Sequence, residues 1–328
     1  MIFEDRPMTS RETVRRTIRF QSPDRYVYEF PDEHGTDFYR TGLHPSPDGR
    51  LSQGTDDWGC VWENFSDSWL GEVKESPLKD WKDFNKLPIP DVGRKEIWAP
   101  VEKAKESAGD KYILGSVSSI FERVHFVRGF DNTCCDIIDE PENLKMFVDL
   151  LADMNIRIIE GYAKLGVDGI ISCDDWGLQD RLMINPESWR AIWKPAYRRM
   201  YDAAHRAGID TWLHSCGYIT DILDDLIDAG LDVIEMHQQE NMGLEFLGEK
   251  FRGRITFFAP VDIQSVMPHG TPDDIRRYCR DMSRILGTKE GGFIPQWYGD
   301  PAGAGHTRES IDIMCREFLK ISDEIYGM

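Results

Sequence analysis

Short apolar runs alternate along the chain with longer stretches in which apolar residues recur every three or four positions. Runs of the first kind are typical of buried strands, and stretches of the second kind are typical of helices with one buried face. The predicted strands are 112–117, 169–173, 211–216, 232–236, 255–259 and 292–296. The predicted helices are 142–165, 186–207, 219–229, 244–251, 272–286 and 308–326. Strands and helices therefore follow one another in turn after residue 111.

Glycines follow several of the predicted helices, as expected for the left-handed residue that ends a helix. Gly166, Gly208 and Gly230 each stand between a helix and the next strand. Six strand and helix units, with a further strand at 26–30, favour a parallel β/α barrel of the α/β class. An open doubly wound sheet is the alternative, but no predicted strand is followed by a Gly-x-Gly-x-x-Gly turn.

The N-terminal part of the chain follows a different pattern. An amphipathic helix is predicted at 8–20, and the aromatic and β-branched run at 26–30 predicts the first strand. Residues 56–73 predict a β-hairpin with a polar turn at 66–68. A proline-rich connection then leads to a helix at 101–108.

We predict a single domain over 1–328. Within it, 1–110 form an N-terminal segment with the hairpin insertion, and 111–328 form regular β/α units. The chain is 41% hydrophobic and has 328 residues, which suits one large core. Barrels of this class commonly exceed ~250 residues without dividing into separate domains.

Charge and composition narrow the classes of partner. The chain carries 58 acidic and 39 basic side chains, a formal net charge of -19. This acidic excess repels phosphate backbones and anionic lipid, so we expect neither nucleic-acid nor membrane-surface binding. No apolar run approaches the ~20 residues that cross a bilayer, and the N-terminus lacks an apolar signal segment. Cytoplasmic residence is the expectation, and the seven cysteines, odd in number and without paired spacing, are expected to be reduced.

Candidate chemistry concentrates at the ends of the predicted strands, which in a β/α barrel meet at the mouth. His214 and Cys216 end one strand, and residues two apart in a strand point to the same side. An imidazole and a thiol that converge in this way can bind Zn²⁺. The alternative is a hydrogen-bonded core histidine beside a small buried thiol.

Acidic residues also end the predicted strands on either side of the one that carries His214 and Cys216. Asp174 and Asp175 are adjacent, so we expect one to face the barrel axis and the other to cap the following loop. The one at the axis could act as a general acid or base, a substrate anchor or a metal ligand, whereas the alternative is a turn or helix cap. Glu235 and His237 share a strand face and are candidates for a third ligand, a catalytic group or a partner that orients the ligands. His237 could instead hydrogen-bond the loops.

Aromatic residues lie in loops and at strand ends rather than at helical spacing. They are candidates for the wall of a pocket that takes a flat or methylated ligand. The set comprises Trp58, Trp62, Trp176, Trp297 and Tyr298.

Several short motifs occur together in this chain. They are, in chain order, 8–12 with 23–25, 57–62, 121–123 with 128–130, 174–177 and 213–217. With these motifs the chain resembles the uroporphyrinogen decarboxylase superfamily, which also contains the zinc-dependent methyltransferases of corrinoid systems. The resemblance implies a distorted TIM (β/α)8 barrel with an N-terminal extension and its active cleft at the mouth. The predicted substrate-binding residues at this cleft are Trp58, Trp176, Gln296, Trp297, Tyr298 and Arg123.

Two branches of this superfamily differ at particular residues. Decarboxylases of the family carry an arginine-rich segment that holds the carboxylates of the porphyrinogen, and residues 29–39 lack it. The resemblance to the methyltransferase branch is closer, because its His-x-Cys zinc motif falls on His214 and Cys216. That branch also has a cysteine near the last strand, whereas 294–298 contain none and Cys315 lies in the final predicted helix. A third zinc ligand would then come from among Glu235, His237, Asp174 and Gln296.

The leading hypothesis is a zinc-dependent methyltransferase that moves a methyl group between a small substrate and a corrinoid on a partner protein, with a homodimer as a plausible assembly. One alternative is a carboxy-lyase in which Asp174 or Asp175 stabilises a cationic intermediate of a carboxylated substrate. Another is a binding subunit of a corrinoid complex that performs no catalysis itself. Bound zinc separates the first hypothesis from the second, because the second needs no metal.

Overall fold

The computed structural model describes residues 7–64 and 71–327. The strands are β1 Phe38–Thr41, β2 Gly54–Thr55, β3 Val61–Glu63, β4 Glu72–Glu75, β5 Tyr112–Ser116, β6 Gly169–Cys173, β7 Asp210–His214, β8 Val233–Glu235, β9 Thr256–Ala259 and β10 Phe293–Pro295. The helices are α1 Ser10–Ile18, α2 Ala99–Ser107, α3 Glu122–Arg128, α4 Phe130–Asp139, α5 Pro141–Leu165, α6 Pro186–Ile192, α7 Lys194–Arg206, α8 Thr220–Ala229, α9 Leu244–Phe251, α10 Val266–His269, α11 Pro272–Leu286 and α12 Arg308–Tyr326. The 3-10 turns are Trp81–Lys86, Lys95–Trp98 and Gln239–Asn241.

Parallel strands form one curled sheet in the order β1-β5-β6-β7-β8-β9-β10. The chain around Glu29 joins the two edges of this sheet. The Glu29 N–H donates to the Pro295 carbonyl at 3.2 Å, and the Glu29 carbonyl accepts from the Trp297 N–H at 3.0 Å. On the other side, the Asp37 N–H donates to the Tyr28 carbonyl at 3.1 Å, immediately before β1. The predicted α/β class and distorted TIM barrel are confirmed.

The prediction of a regular first strand at 26–30 is wrong. Glu29 forms only isolated bridges, one antiparallel to Thr36 and one parallel to Gln296. A tight turn follows at once, in which the Gly35 N–H donates to the Pro31 carbonyl at 3.0 Å. Because the chain reverses after so few residues, this position of the barrel is filled by an irregular segment.

The inserted hairpin is present as a small antiparallel sheet in the order β2-β3-β4. Its turn, predicted at 66–68, lies outside the described residues. The predicted helix at 186–207 is divided at Trp193 into α6 and α7. Pro195 stands at the start of α7, where its ring and missing N–H are compatible only with a helix beginning. Helices α3 and α4 have no counterpart among the predicted elements.

Apolar side chains from all seven barrel strands fill the barrel interior, each at most 9% exposed. They are Phe38, Tyr112, Leu114, Ile171, Trp212, Val233, Phe258 and Ile294. Val14 and Ile18 of α1 belong to the same cluster. Helix α1 therefore packs against the barrel interior, and its capping box, formed by Thr9 and Glu12, begins the helix there.

The outer helices cover the other face of the strands with a second and larger apolar cluster. Gly166 and Gly230 end α5 and α8 in the left-handed conformation, as the sequence predicts. Every cysteine lies in the described part of the chain, and all seven are free. No described helix is both long enough and apolar enough to span a membrane.

Candidate metal site at the barrel mouth

Three neighbouring strands end at the same level. In the parallel pairing, Cys173 of β6 is opposite His214 of β7, and His214 is opposite Glu235 of β8. Parallel strands of a barrel present their carboxyl ends at one mouth, so these three side chains meet there. Cys216, Asp175 and His237 lie on the loops that leave these strands.

His214 and Cys216 are in direct contact, with His214 Nε2 at 3.3 Å from Cys216 Sγ. Asp175 Oδ1 lies 3.5 Å from the same Nε2 and accepts the Cys216 N–H at 2.8 Å. The candidate ligand atoms of His214, Cys216 and His237 all lie within 4.8 Å of one another. We name these three residues the metal cluster. The predicted convergence of His214 with Cys216 is thus present.

Glu235 contacts the imidazoles of both histidines in the cluster. Its Oε2 lies 3.3 Å from His214 Nδ1, and its Oε1 lies 3.6 Å from His237 Nε2. Burial would raise the pKa of Glu235, but the neighbouring imidazoles of His214 and His237 and the charge on Arg40 hold it well below its ordinary value. The 3.6 Å separation from His237 Nε2 is an electrostatic contact, longer than a hydrogen bond. An ionised Glu235 accepts the His214 Nδ1–H, which leaves Nε2 of that ring free to face Cys216.

The cluster suits a zinc ion by its chemistry. One thiol and two imidazoles are ligands that Zn²⁺ prefers, and three protein ligands are the number found at catalytic zinc sites. His237 Nε2 is buried and has no hydrogen-bond partner in the described part of the chain. Burial also lowers the pKa of His237, which favours the neutral imidazole that binds metals. A buried nitrogen without a partner is costly unless a ligand satisfies it.

Cys173 is a candidate ligand that sequence reasoning missed. With Asp175 and His214 it forms a second group whose ligand atoms lie within 4.8 Å of one another. Burial raises the pKa of the Cys173 thiol. The sequence carries a signal for it, because Cys173 is the last residue of the predicted strand 169–173, which precedes the strand of His214 along the chain.

Asp174 does not face the mouth. Its buried carboxylate accepts the N–H groups of Ile120, Phe121 and Glu122 at 2.8 to 3.1 Å, and the Tyr197 hydroxyl donates to it at 2.6 Å. These N–H groups open α3, so Asp174 caps that helix. We expected one aspartate to face the barrel axis and the other to cap the following loop, but Asp174 instead caps α3, a helix that precedes its strand. Asp174 is therefore also no third metal ligand.

Three residues predicted to contact the substrate are buried and contact other parts of the protein instead. Arg123 is 0% exposed and pairs with Asp56 at 2.8 Å. Trp58, also 0% exposed, donates its Nε1–H to the Pro47 carbonyl at 2.7 Å. Trp176 stacks on Phe121 with ring centroids 4.0 Å apart, and its Nε1–H donates to the Tyr197 hydroxyl. All three side chains are 0% exposed, so they do not line an open cleft, although Nε and Nη2 of Arg123 have no hydrogen-bond partner in the described residues.

The three residues that follow β10, 296–298, differ in their position relative to the metal cluster. Gln296 is 3% exposed, and its side-chain amide donates to the Phe258 carbonyl at 3.3 Å, so a protein partner already engages it. Trp297 lines a separate cleft with residues 29–33. The Tyr298 ring stands edge-on to the His237 ring at 5.2 Å and also contacts His306 at 5.8 Å. Of this predicted set, Tyr298 is the residue beside the metal cluster.

Two cavities differ in their relation to this site. A cavity of about 860 Å³ lies against the outer face of α5, and its wall contains none of the strand-end residues. A smaller one, of about 370 Å³, has Asp175 in its wall and so adjoins the metal cluster. Position relative to the strand ends decides which is relevant, because catalytic groups of these barrels gather at the mouth.

Comparisons with known proteins agree with the fold. The family model for uroporphyrinogen decarboxylase (URO-D) matches residues 67–295. Two curated relatives, both named methylcobamide:CoM methyltransferase MtbA, are 21% identical over 216 residues in Methanosarcina acetivorans and 22% identical over 219 residues in Methanosarcina mazei. Each match spans 62% of this chain and 62% of the relative. A solved methyltransferase from Methanosarcina mazei superposes with a TM-score of 0.73 at 15% identity, over 96% of this chain and 99% of that one, and so has the same fold.

Proposed function

Since the chain belongs to the uroporphyrinogen decarboxylase family, whose model matches residues 67–295, we propose that it is a zinc-dependent methyltransferase of that family. The reaction moves a methyl group between a small substrate and a corrinoid on a partner protein. The observation that carries this proposal is the metal cluster, His214, Cys216 and His237, with its ligand atoms within 4.8 Å. The curated relatives, named methylcobamide:CoM methyltransferases, support the reaction class.

His214, Cys216 and His237 would hold the ion. When bound, zinc with three protein ligands supplies an open position that lowers the pKa of a substrate thiol or hydroxyl. In transfer to a thiol, a carbon–sulfur bond forms while the carbon–cobalt bond of the methylated corrinoid breaks. The electron pair of that bond stays with cobalt, and the thiol proton passes to solvent.

The protein's own groups hold the site in one arrangement. Glu235 accepts from His214 Nδ1 and so selects the tautomer with Nε2 directed at Cys216. Asp175 accepts the Cys216 N–H at 2.8 Å, which fixes the loop that carries the thiol. Arg40, paired with Glu29 at 2.6 Å and 3.9 Å from Glu235, adds positive charge that keeps Glu235 ionised. Tyr298 covers the His237 ring at its edge.

His237 takes the place of the late cysteine of the methyltransferase pattern. A neutral imidazole in place of a thiolate removes one negative charge from the ligand set. The ion would then carry a larger net positive charge and polarise a bound thiol or hydroxyl more strongly. The competing ligand set, Cys173 with Asp175 and His214, keeps a thiol but omits Cys216.

Metal analysis tests the proposal and separates the two ligand sets. Protein purified without chelator is expected to contain about one zinc per chain, as at a three-ligand catalytic site. His214→Ala, Cys216→Ser and His237→Ala should lose the ion, while Cys173→Ser should keep it. Cys135→Ser, which removes an exposed thiol, is the matched control. In cobalt-substituted protein, the thiolate-to-cobalt absorption should vanish in Cys216→Ser. Its loss in Cys173→Ser would instead establish the competing set.

The reaction itself can be followed with free methylcobalamin and 2-mercaptoethanol as the thiol. We expect demethylation of methylcobalamin, seen as an absorbance change, that depends on zinc and on His214. Zinc-free protein that releases carbon dioxide from a carboxylated substrate would establish the carboxy-lyase in place of the methyltransferase. Metal-bound protein that binds a corrinoid protein without any turnover would establish the binding subunit.

A further inference from the structure

The cavity of about 370 Å³ beside the metal cluster has an aromatic side and a charged side. Its size is at the lower end of small-molecule sites, which span ~300–1,000 Å³. Asp175 belongs both to its wall and to the surroundings of the metal cluster, since Asp175 Oδ1 is 3.5 Å from His214 Nε2. A small molecule in this cavity therefore lies next to the candidate ligand atoms.

The aromatic side is built by α3 and the start of α4. The His125 and Phe126 rings meet edge to face at 4.6 Å, and the Phe130 ring stands 5.6 Å from His125 on the other side. Trp62 of β3 packs against Phe126 at 5.0 Å. Phe130 is 45% exposed, an unusual exposure for a large apolar side chain at the rim of a cavity. Aromatic walls of this kind attract cations through the ring faces.

Phe126 already illustrates that attraction within the protein. The Arg50 guanidinium carbon lies 5.6 Å from the Phe126 ring centroid, and that of Arg123 lies 5.3 Å from it. Burial lowers the pKa of His125 to about 4, so its ring is neutral at physiological pH and adds no positive charge to the wall.

Carboxylates outnumber cations on the charged side. Arg50 donates to Asp48 at 2.7 Å and to the Cys173 carbonyl at 3.0 Å, and it forms an ion pair with Glu122. Arg50 thus has two carboxylate partners already, and Asp175 adds a third carboxylate to the same region. An anionic ligand would meet this excess of negative charge, whereas a cation would be stabilised by it.

Glu122 reports the same excess. Burial raises its pKa to about 8, Arg50 opposes the rise, and the negative charges of Asp175, Asp174 and Asp48 add to it. A cation placed in the cavity would favour the ionised form of Glu122 and release its proton.

We propose that this cavity binds the positively charged head of a small substrate, an alkylammonium ion whose thiol or hydroxyl arm reaches the metal cluster. The inference rests on the proposed function for the role of the arm, but binding of the head does not depend on metal. The proposal also states a preference among methyl acceptors, because an anionic thiol is disfavoured in this cavity.

The test compares two molecules of nearly equal shape. Choline and 3,3-dimethylbutan-1-ol share the hydroxyl arm, and only choline carries a charge. By titration calorimetry at a pH above 8, where Glu122 is ionised, choline is expected to bind about 10-fold more tightly than the neutral alcohol. Equal binding of both molecules, or binding of neither, would overturn the proposal.

Two variants localise the binding. Phe130→Ala is expected to weaken choline about 3-fold, the size of one exposed cation–π contact. Phe246→Ala removes a ring of matching exposure, 44%, on α9 and should change nothing. Glu122→Gln should weaken choline about 10-fold and leave the alcohol unaffected. Equal losses in the Phe130 and Phe246 variants would place the binding elsewhere.

Repeating the titration in His214→Ala protein separates this inference from the proposed function. Choline binding that persists without metal supports the cavity, even if no zinc is ever found. Zinc-containing protein that ignores choline contradicts the cavity alone. In active protein, the rate of methylcobalamin demethylation should be higher with thiocholine than with 2-mercaptoethanol, and lowest with an anionic thiol such as coenzyme M.

Discussion

The two ends of the barrel use charged residues in opposite ways. At the N-terminal ends of the strands, Asp168 accepts from Arg11 at 2.9 Å and from Arg15 at 2.8 Å. Asp210, at the start of β7, accepts from Arg19 at 3.1 Å and from the Tyr112 hydroxyl at 2.9 Å. Each of these buried carboxylates has a cation from α1 or its C-cap residue. At the mouth, by contrast, His237 Nε2 is buried without a partner in the described part of the chain.

This difference shows which end of the molecule is built for stability and which for binding. Buried charges with complete sets of partners hold elements in place, because removing one partner leaves another without compensation. A buried group without a partner is stabilised when a ligand supplies the missing interaction. The same holds for a region in which carboxylates outnumber cations and a cation binds. We therefore expect substitutions at the mouth to change metal binding, and substitutions at the N-terminal end to change the free energy of unfolding.

The largest effect is expected for the cluster ligands. His214→Ala or Cys216→Ser should weaken zinc binding by more than about 100-fold, since even residues that only orient ligands account for ~10–100-fold. Methyl transfer should be lost with the metal. In Cys216→Ser the unfolding free energy of the metal-free protein should change little, because a hydroxyl replaces a thiol of similar size, whereas His214→Ala also removes a partner of the buried Glu235. Metal titration and chemical denaturation of the same samples measure both quantities.

At the opposite end, Asp168→Ala should destabilise the protein by about 3 kcal/mol. This is the lower part of the range for a broken buried ion pair, because Arg11 and Arg15 remain 32% and 40% exposed to water. The Ile113 N–H also loses its acceptor. Zinc content should stay at the wild-type level. Asp273→Ala, which removes a 90% exposed partner of Arg276, is the control and should cost less than about 1 kcal/mol.

Glu235→Gln tests the support behind the cluster. The amide keeps the shape but no longer carries the charge that fixes the His214 tautomer, so zinc affinity should fall by about 10–100-fold. The metal-free protein should still fold. Unchanged zinc affinity in Glu235→Gln would contradict the positioning role of this residue, and a loss of folding would make Glu235 a structural residue like Asp168.

Asp174→Ala distinguishes a helix cap from a catalytic carboxylate. We expect destabilisation by about 1 to 2 kcal/mol from the uncapped N–H groups of α3. Zinc stoichiometry should be unaffected, because Asp174 does not contact the metal cluster. Methyl transfer by the folded fraction should remain, and complete loss of activity with normal stability would restore the catalytic interpretation.

The smallest effect concerns His205 near the N-terminal end. A hydrogen bond with Asp232 raises the pKa of His205, so its folded-state value exceeds the unfolded one. The stabilisation is therefore fully present below the unfolded pKa of about 6.5 and is lost as pH rises through the folded value. Because the side chain is 42% exposed, we expect less than about 1 kcal/mol. Denaturation across this pH range should show the difference between wild type and His205→Gln, and zinc content should not vary with it.

Sequence reasoning reached those parts of the site that depend on local spacing. His214 and Cys216 are two apart, and Glu235 and His237 repeat that spacing on the next strand. Their convergence needs only the alternation of side chains along a strand and the parallel order of neighbouring strands. Cys173 also ends a predicted strand, but only the pairing of the strands places it opposite His214.

The roles that sequence reasoning misassigned depend on partners far along the chain. Arg123 pairs with Asp56, 67 residues before it, and Asp174 caps a helix 52 to 54 residues earlier. Helices α3 and α4 were missed because α3 draws its cap from that distant carboxylate. Trp58 and Trp176 stand in loops, and their burial follows only from the packing of other elements over them.

The sequence by itself determined the α/β class and favoured a barrel over an open sheet, because strands that alternate with one-faced helices bury their apolar sides together in a β/α arrangement. It also determined which residues end the strands, and so which could meet at the mouth. The tertiary structure alone decided which of those end residues are accessible to a ligand. A strand-end side chain that hydrogen-bonds a backbone N–H, as Asp174 does, or packs on another ring, as Trp176 does, is no longer available. At the N-terminal end, Asp168 and Asp210 both have cation partners, and these ion pairs hold α1 against the strands. At the mouth, His237 Nε2 lacks a hydrogen-bond partner in the described residues, and the cavity that Glu122 lines has an excess of carboxylates. We propose that the metal binds at the first and the substrate at the second.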